Sequence, residues 1–133
     1  MRTTVYIDGF NLYYGAVKQP IGQHKFARVL KTEKKGSDVN LALHVLNDAW
    51  ANAYDCAVIC SNDSDLSEAL RLVRKQHKKR IILVVPGDPA LRPPAIQLKR
   101  FSHAVLTLTA ADLAACQLPS PIPNTNLRKP ASW

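Results

Sequence analysis

Apolar and polar residues come in short blocks along the chain, and the period changes from block to block. Thr3 to Ile7 is β-branched and aromatic, and it stops at Asp8-Gly9, which predicts a strand ending in a sharp turn. Phe10, Tyr13 and Tyr14 then recur at helical spacing, predicting a short helix to Val17 with these rings in the core. Pro20 and Gly22 mark a loop, and Lys25 to Leu30 reads as a short strand. The clearest helix opens at Gly36-Ser37, with Ser37 as the expected N-cap and Asp38 in the positive first turn. Its apolar positions are Val39, Ala42, Leu43, Leu46, Ala49, Trp50 and Ala53. Ala57 to Cys60 is continuously apolar, as a buried parallel strand is. The polar turn Ser61-Asn62-Asp63-Ser64-Asp65 leads into a second amphipathic helix carrying Leu66, Ala69, Leu70 and Val73. Ile81 to Val85 predicts another buried strand, ended by Pro86-Gly87. Ala95 to Arg100 predicts a turn or two of helix, Ala104 to Leu108 a last strand, and Thr109 the cap of a short helix to Cys116.

Strands alternating with helices predict an α/β fold with a mostly parallel central sheet and helices on both faces. Residues 1–117 are expected to form one domain, followed by a Pro-rich extended tail over 118–133. In such sheets a site lies beyond the carboxyl ends of the strands.

Charge changes the picture. Eighteen Lys and Arg oppose ten Asp and Glu, a net charge of +8, so a polyanion such as nucleic acid is the first partner to consider. No apolar run approaches the ~20 residues of a membrane-spanning helix. The N-terminus reaches Asp8 too early for a signal peptide, so a cytoplasmic protein without membrane contact is expected. Cys56, Cys60 and Cys116 form no C-x-x-C pair, and Cys56 and Cys60 read as small core hydrophobes.

In a basic chain, the position of the acids carries the information. Asp8 follows the first strand, Asp63 and Asp65 follow the strand at 57–60, and Asp38 opens the helix between them. Parallel strands would bring Asp8, Asp63 and Asp65 to one sheet edge, and with the helix start at Asp38 facing that edge four of the ten acids would converge. Each taken alone reads as a turn former or helix cap. Together they repel one another, and the usual remedy is a hard divalent ion such as Mg²⁺ or Mn²⁺. Such ions activate water and stabilise the leaving oxygen in phosphodiester hydrolysis.

These residues carry a family likeness. Val5-Tyr6-Ile7-Asp8-Gly9-Phe10-Asn11-Leu12 resembles the opening motif of the NYN domain family, which has a PIN-like nuclease fold. Lys31 to Val39 resembles the second motif and Ser61 to Leu66 the third, and the ending from Leu118 resembles bacterial LabA-like members. The resemblance implies a metal-dependent ribonuclease acting on RNA. Asp8, Asp38, Asp63 and Asp65 would line a Mg²⁺ or Mn²⁺ site, and Asn11 would orient the first acid or the substrate phosphate. Ser61 and Ser64 would support the site through their hydroxyls, with ordinary turn chemistry as the simpler reading of both. The chain departs from the family in one respect. Only Gly15 to Arg28 separate the first helix from the Lys31-Thr32-Glu33-Lys34 element, where members have a longer stretch with a further strand–helix unit. Loss of that unit would bare a sheet edge or apolar surface, and dimerisation is one remedy. It would also loosen the support of Asp8 and Asp38, which makes a catalytically weak, RNA-binding or regulatory domain the alternative.

Of the basic residues, Lys31 and Lys35 precede Asp38 and are the candidates for substrate binding. Arg71, Arg74, Lys75, Lys78, Lys79 and Arg80 gather at the far end of a helix, where a solvated face is the simpler reading. His24, His44, His77 and His103 are scattered and carry no assigned chemistry.

Overall fold

The computed structural model describes residues 1–17 and 36–128. The strand expected at Lys25–Leu30 and the candidate lysines Lys31 and Lys35 lie outside the described residues. Four strands, β1 (Thr3–Ile7), β2 (Cys56–Cys60), β3 (Arg80–Pro86) and β4 (Ala104–Leu108), form one sheet in the order β1-β2-β3-β4. Every pairing is parallel. The helices are α1 (Gly9–Leu12), α2 (Ser37–Trp50), α3 (Ser67–Lys75), α4 (Ile96–Phe101) and α5 (Ala110–Ala115). A π-helical turn, Tyr13–Val17, continues α1, and a 3₁₀ turn, Ser64–Leu66, precedes α3. The α/β fold with a parallel sheet is therefore as the sequence predicts. Among the described residues no helix is long and apolar enough to cross a membrane.

The strand register sorts residues between the two faces. Tyr6, Ile59, Leu83 and Val105 lie side by side across the sheet. They share a core with Val45 and Ala49 of α2, Leu70 and Val73 of α3, and Leu98 of α4. Strands taken in sequential order with crossovers of one hand put the connecting helices on one face, and α2, α3 and α4 obey this. Tyr6 fastens β1 to α2: its phenol donates to Asp48 Oδ2 at 2.6 Å, and burial together with that bond pushes its pKa upward. Tyr54, fully buried, donates to the Val45 carbonyl at 2.9 Å and meets Tyr6 edge to face.

The opposite face is also apolar, with the rows Val5–Val58–Ile82–Ala104 and Ile7–Cys60–Val84–Leu106. Val5, Ile7 and Leu106 nonetheless remain more than half exposed. Among the described residues, this face is therefore apolar and partly open along the two outer strands. Residues 118–128 contain no helix or strand and are almost wholly exposed.

Three local expectations need correction. Ser37 is not the cap of α2: Gly36 holds that position at φ 92°, a left-handed backbone that favours glycine, and Ser37 is the first helical residue. Val39, Leu43 and Trp50 do not join the core, being 57, 58 and 77 % exposed. The row 42, 45, 46, 49 faces the sheet, and the neighbouring row 39, 43, 50 lies too far round the helix to reach it. Tyr13 and Tyr14 are exposed rather than buried, while Ala16 on the same turn is buried. Other expectations hold. Cys56 and Cys60 are buried free thiols, and Thr109 caps α5 in a reciprocal capping box with Asp112.

The uneven cover of the sheet predicts an uneven response to mutation. Leu83→Ala, at a fully buried site, should cost about 2–5 kcal/mol in urea unfolding. Val5→Thr, on the bare face, should stay within about 0.5 kcal/mol of the parent.

Candidate metal centre and its cleft

Three strand ends finish level at one edge. The ladder continues past them, with the Asp8 amide donating to the Cys60 carbonyl and the Ser61 amide to the Val84 carbonyl. Asp8 and Ser61 therefore emerge side by side, on the face that carries the core. Asp8 is only 8 % exposed and Ser61 is fully buried. A carboxylate in such a place needs donors, and Asp8 has four. Its Oδ1 accepts from the Phe10 and Asn11 amides, both at 3.1 Å, which makes it the cap of α1. Its Oδ2 accepts from Asn11 Nδ2 at 2.7 Å and from Ser61 Oγ at 3.1 Å. Burial, with the negative charge of Asp8 added to it, pushes the neighbouring Cys60 thiol upward in pKa.

Ser61 performs its turn role and more. Its Oγ accepts from the Asp63 amide at 3.1 Å while donating to Asp8, so one hydroxyl joins the two strand ends. Asp63 in turn caps the 3₁₀ turn, its Oδ1 accepting from the Asp65 amide at 3.0 Å. Ser64 is exposed on that turn. Gly36 delivers Asp38 in the first turn of α2. Carboxylate oxygens of Asp38, Asp63 and Asp65 then lie within 4.8 Å of one another. Asp8, with its lone-pair sites already taken by four donors, stands beside this close group in the same cleft.

That cleft, about 310 Å³, is walled by Asp8, Asn11, Asp38, Asp63, Tyr14 and Arg92 among others. Arg92 was not anticipated. It lies in the loop after β3, where no periodicity marks it, and its only sequence signal is that it also follows a strand end. Its amide donates to the Asp88 carbonyl at 2.8 Å, and its Nη2 donates to Asn11 Oδ1 at 2.9 Å. Asn62 was missed too. Its side chain donates to the Pro93 carbonyl and accepts from the Ala95 amide, fastening the same loop to the end of β2. Asn11 Oδ1 also accepts from the Asn62 amide at 3.3 Å, so the Asn11 side chain joins Asp8, Asn62 and Arg92. Gly15 leaves the space that Arg92 uses. A Cβ there would stand 2.4 Å from the Pro86 carbonyl oxygen and 3.0 Å from Arg92 Nη1.

Much of the second basic cluster is occupied structurally. Arg71 pairs with Glu68, Arg74 donates to the Arg100 and Ser102 carbonyls, and Lys79 donates to Asn52 Oδ1. The reading of that cluster as a helix face fits these bonds.

Comparison with known proteins identifies the architecture. The family model of the NYN domain matches residues 16–99. The chain belongs to the NYN domain family. The NYN match begins after Asp8, so the opening motif lies N-terminal to it. Among curated proteins, this NYN chain is 41 % identical over 105 residues to "6-hydroxy-3-succinoylpyridine 3-monooxygenase HspA" of Pseudomonas putida (strain DSM 28022 / S16). The match takes in 77 % of this chain but only 34 % of that protein, so the NYN chain spans about a third of its relative's length. Among solved structures, a protein of unknown function, VPA0982 from Vibrio parahaemolyticus RIMD 2210633, superposes with a TM-score of 0.48 at 19 % identity. It covers 65 % of this chain and 49 % of its own.

The donor set suits a hard divalent ion, being all carboxylate oxygen. Opposite ligands of Mg²⁺ stand about 4.2 Å apart, and the three carboxylate oxygens lie within 4.8 Å of one another.

Two substitutions test the polar frame. Asn11→Ala removes one donor from Asp8 and the acceptor of Arg92, and it should cost about 1–3 kcal/mol in chemical unfolding. Gly15→Ala should cost a similar ~1–3 kcal/mol by driving a methyl against the Pro86 carbonyl. A parental unfolding midpoint for either variant would show that the contact carries no load.

Proposed function

We propose that this NYN domain is a metal-dependent ribonuclease that hydrolyses RNA phosphodiester bonds in the acidic cleft. The observation that carries this reading is the approach of three carboxylates, from Asp38, Asp63 and Asp65, to within 4.8 Å of one another in a chain of net charge +8. Like charges gathered this closely are costly unless a cation offsets them, and the family is one of nuclease type. Mg²⁺ or Mn²⁺ held there supplies Lewis acidity at phosphorus and a water of lowered pKa. The chain supplies the rest. Asp38, Asp63 and Asp65 hold the cation, with Ser64 beside them on the 3₁₀ turn. Asp8, fixed by Asn11 and Ser61, keeps the cleft wall negative and orders the ends of β1 and β2. The surrounding positive charge draws a polyanion in, with Lys31 and Lys35 as the proposed contacts on the Asp38 side. Action in the cytoplasm and assembly as a homodimer through the bare sheet face complete the proposal.

Asp63→Asn keeps the cap, because an amide oxygen also accepts from the Asp65 amide. It should fold as the parent does and lose Mn²⁺-dependent cleavage of single-stranded RNA, and EDTA should silence the parent. Undiminished cleavage by Asp63→Asn would remove the acids from the mechanism. A parent that binds RNA but never cuts it with Mn²⁺ would select the RNA-binding, regulatory alternative.

A second reading draws on the 41 % identity to a protein named as a monooxygenase. Under it the cleft takes a hydroxylated pyridine bearing a carboxylate, which Arg92 would face. Incubation of the chain with 6-hydroxy-3-succinoylpyridine, a two-electron reductant and oxygen discriminates: product formation there, with intact RNA in the parallel assay, selects it.

A further inference from the structure

Two walls of the cleft are left without a task by the acids. One is a cation. Arg92 reaches across from the loop after β3 and gives one nitrogen to a neutral amide oxygen, Asn11 Oδ1. Among the described residues no carboxylate lies within ion-pair distance of it, although Asp8, Asp38 and Asp63 line the same cleft. A guanidinium anchored by one neutral acceptor keeps its charge and further N–H donors in a fixed plane, which is the geometry that grips phosphate oxygens. The other wall is aromatic. Tyr14 is 46 % exposed, yet its ring is braced edge-on by Tyr13 at 5.2 Å and tilted against Phe10 at 5.7 Å. A large ring both half-exposed and already ordered loses little entropy on stacking. The walls adjoin, because Tyr14 directly precedes Gly15, and the missing side chain of Gly15 makes the room that Arg92 Nη1 takes.

We propose that the cleft is a nucleotide subsite, in which Arg92 holds a phosphate oxygen and the Tyr14 ring stacks on the attached base. The inference rests on the reading of RNA as substrate and adds how the strand is gripped beside the acids. A ring face accepts any base, so the subsite requires an unpaired nucleotide and carries little sequence preference.

The test is fluorescence anisotropy of a labelled single-stranded oligoribonucleotide, with Ca²⁺ in place of Mn²⁺ and salt varied. Tyr14→Ala should weaken binding about 5- to 150-fold, the range of base–aromatic stacking, with the salt slope unchanged. Tyr14→Phe, which keeps the ring, should bind as the parent does. Arg92→Gln should lower the slope of log K against log salt by roughly 0.7, the share of one phosphate on a single strand. A strand with abasic sugars in place of its bases should not distinguish Tyr14→Ala from the parent. The proposal is overturned if Tyr14→Ala loses as much on the abasic strand as on the intact one, or if Arg92→Gln keeps the parental slope. A parent that shows the expected pattern but never cuts RNA upholds the subsite and defeats the hydrolytic reading. A parent that cuts RNA without the pattern does the reverse.

Discussion

A carboxylate that ends a strand inside the fold must be given donors, and Asp8 determines most of what surrounds it. Two of its four hydrogen bonds come from the backbone of α1, which starts there because Asp8 caps it. The other two come from side chains that do further work. Ser61 passes the connection on to the turn bearing Asp63 and Asp65, and Asn11 passes it on to Asn62 and Arg92. The β1 end, the β2 end and the loop after β3 are thus held in mutual register by a polar chain that begins at one buried acid. Such networks stiffen a site when every member is satisfied.

The net charge of +8 describes the surface and conceals the site. Much of the cationic charge on α3 and after it is spent on Glu68, on the carbonyls that end α4, and on Asn52. The acids, fewer in number, concentrate where the strands end. The result is a negative cleft set in a positive body.

The strands at 3–7, 57–60, 81–85 and 104–108 were legible because their signals are local. The continuous apolar runs at 57–60 and 81–85 are too short for helices and end at turn residues, which reads as buried strands, and a strand followed at once by Asp fixes where that Asp emerges. Parallel pairing brought Asp8, Asp63 and Asp65 to one edge, and Asp38 joins them because α2 starts there. What was not legible depends on neighbours distant in sequence. Trp50 and Val39 satisfy a helical period, but two adjacent rows on α2 do so, and only packing against the sheet decides which is covered. Tyr13 and Tyr14 look like core by spacing, yet the π-helical turn rotates them outward and buries Ala16 instead. Ser37 has the chemistry of a cap, but the left-handed entry at Gly36 takes the position. Arg92 and Asn62 sit in loops, where no period exists to reveal a direction, and their partners lie tens of residues away.

The sequential strand order has a consequence for how this cleft evolves. In doubly wound sheets the crevice opens where the strand order reverses and neighbouring helices part to opposite sides. Here, among the described residues, the order never reverses, and α2, α3 and α4 stay together. The cavity is built instead from a strand-end turn, the start of one helix and the loop that carries Arg92. Connecting segments accept substitution and length change far more readily than the packed layers beneath them. The acids can therefore stay fixed while the opposite wall is rewritten, with the packed layers beneath left undisturbed.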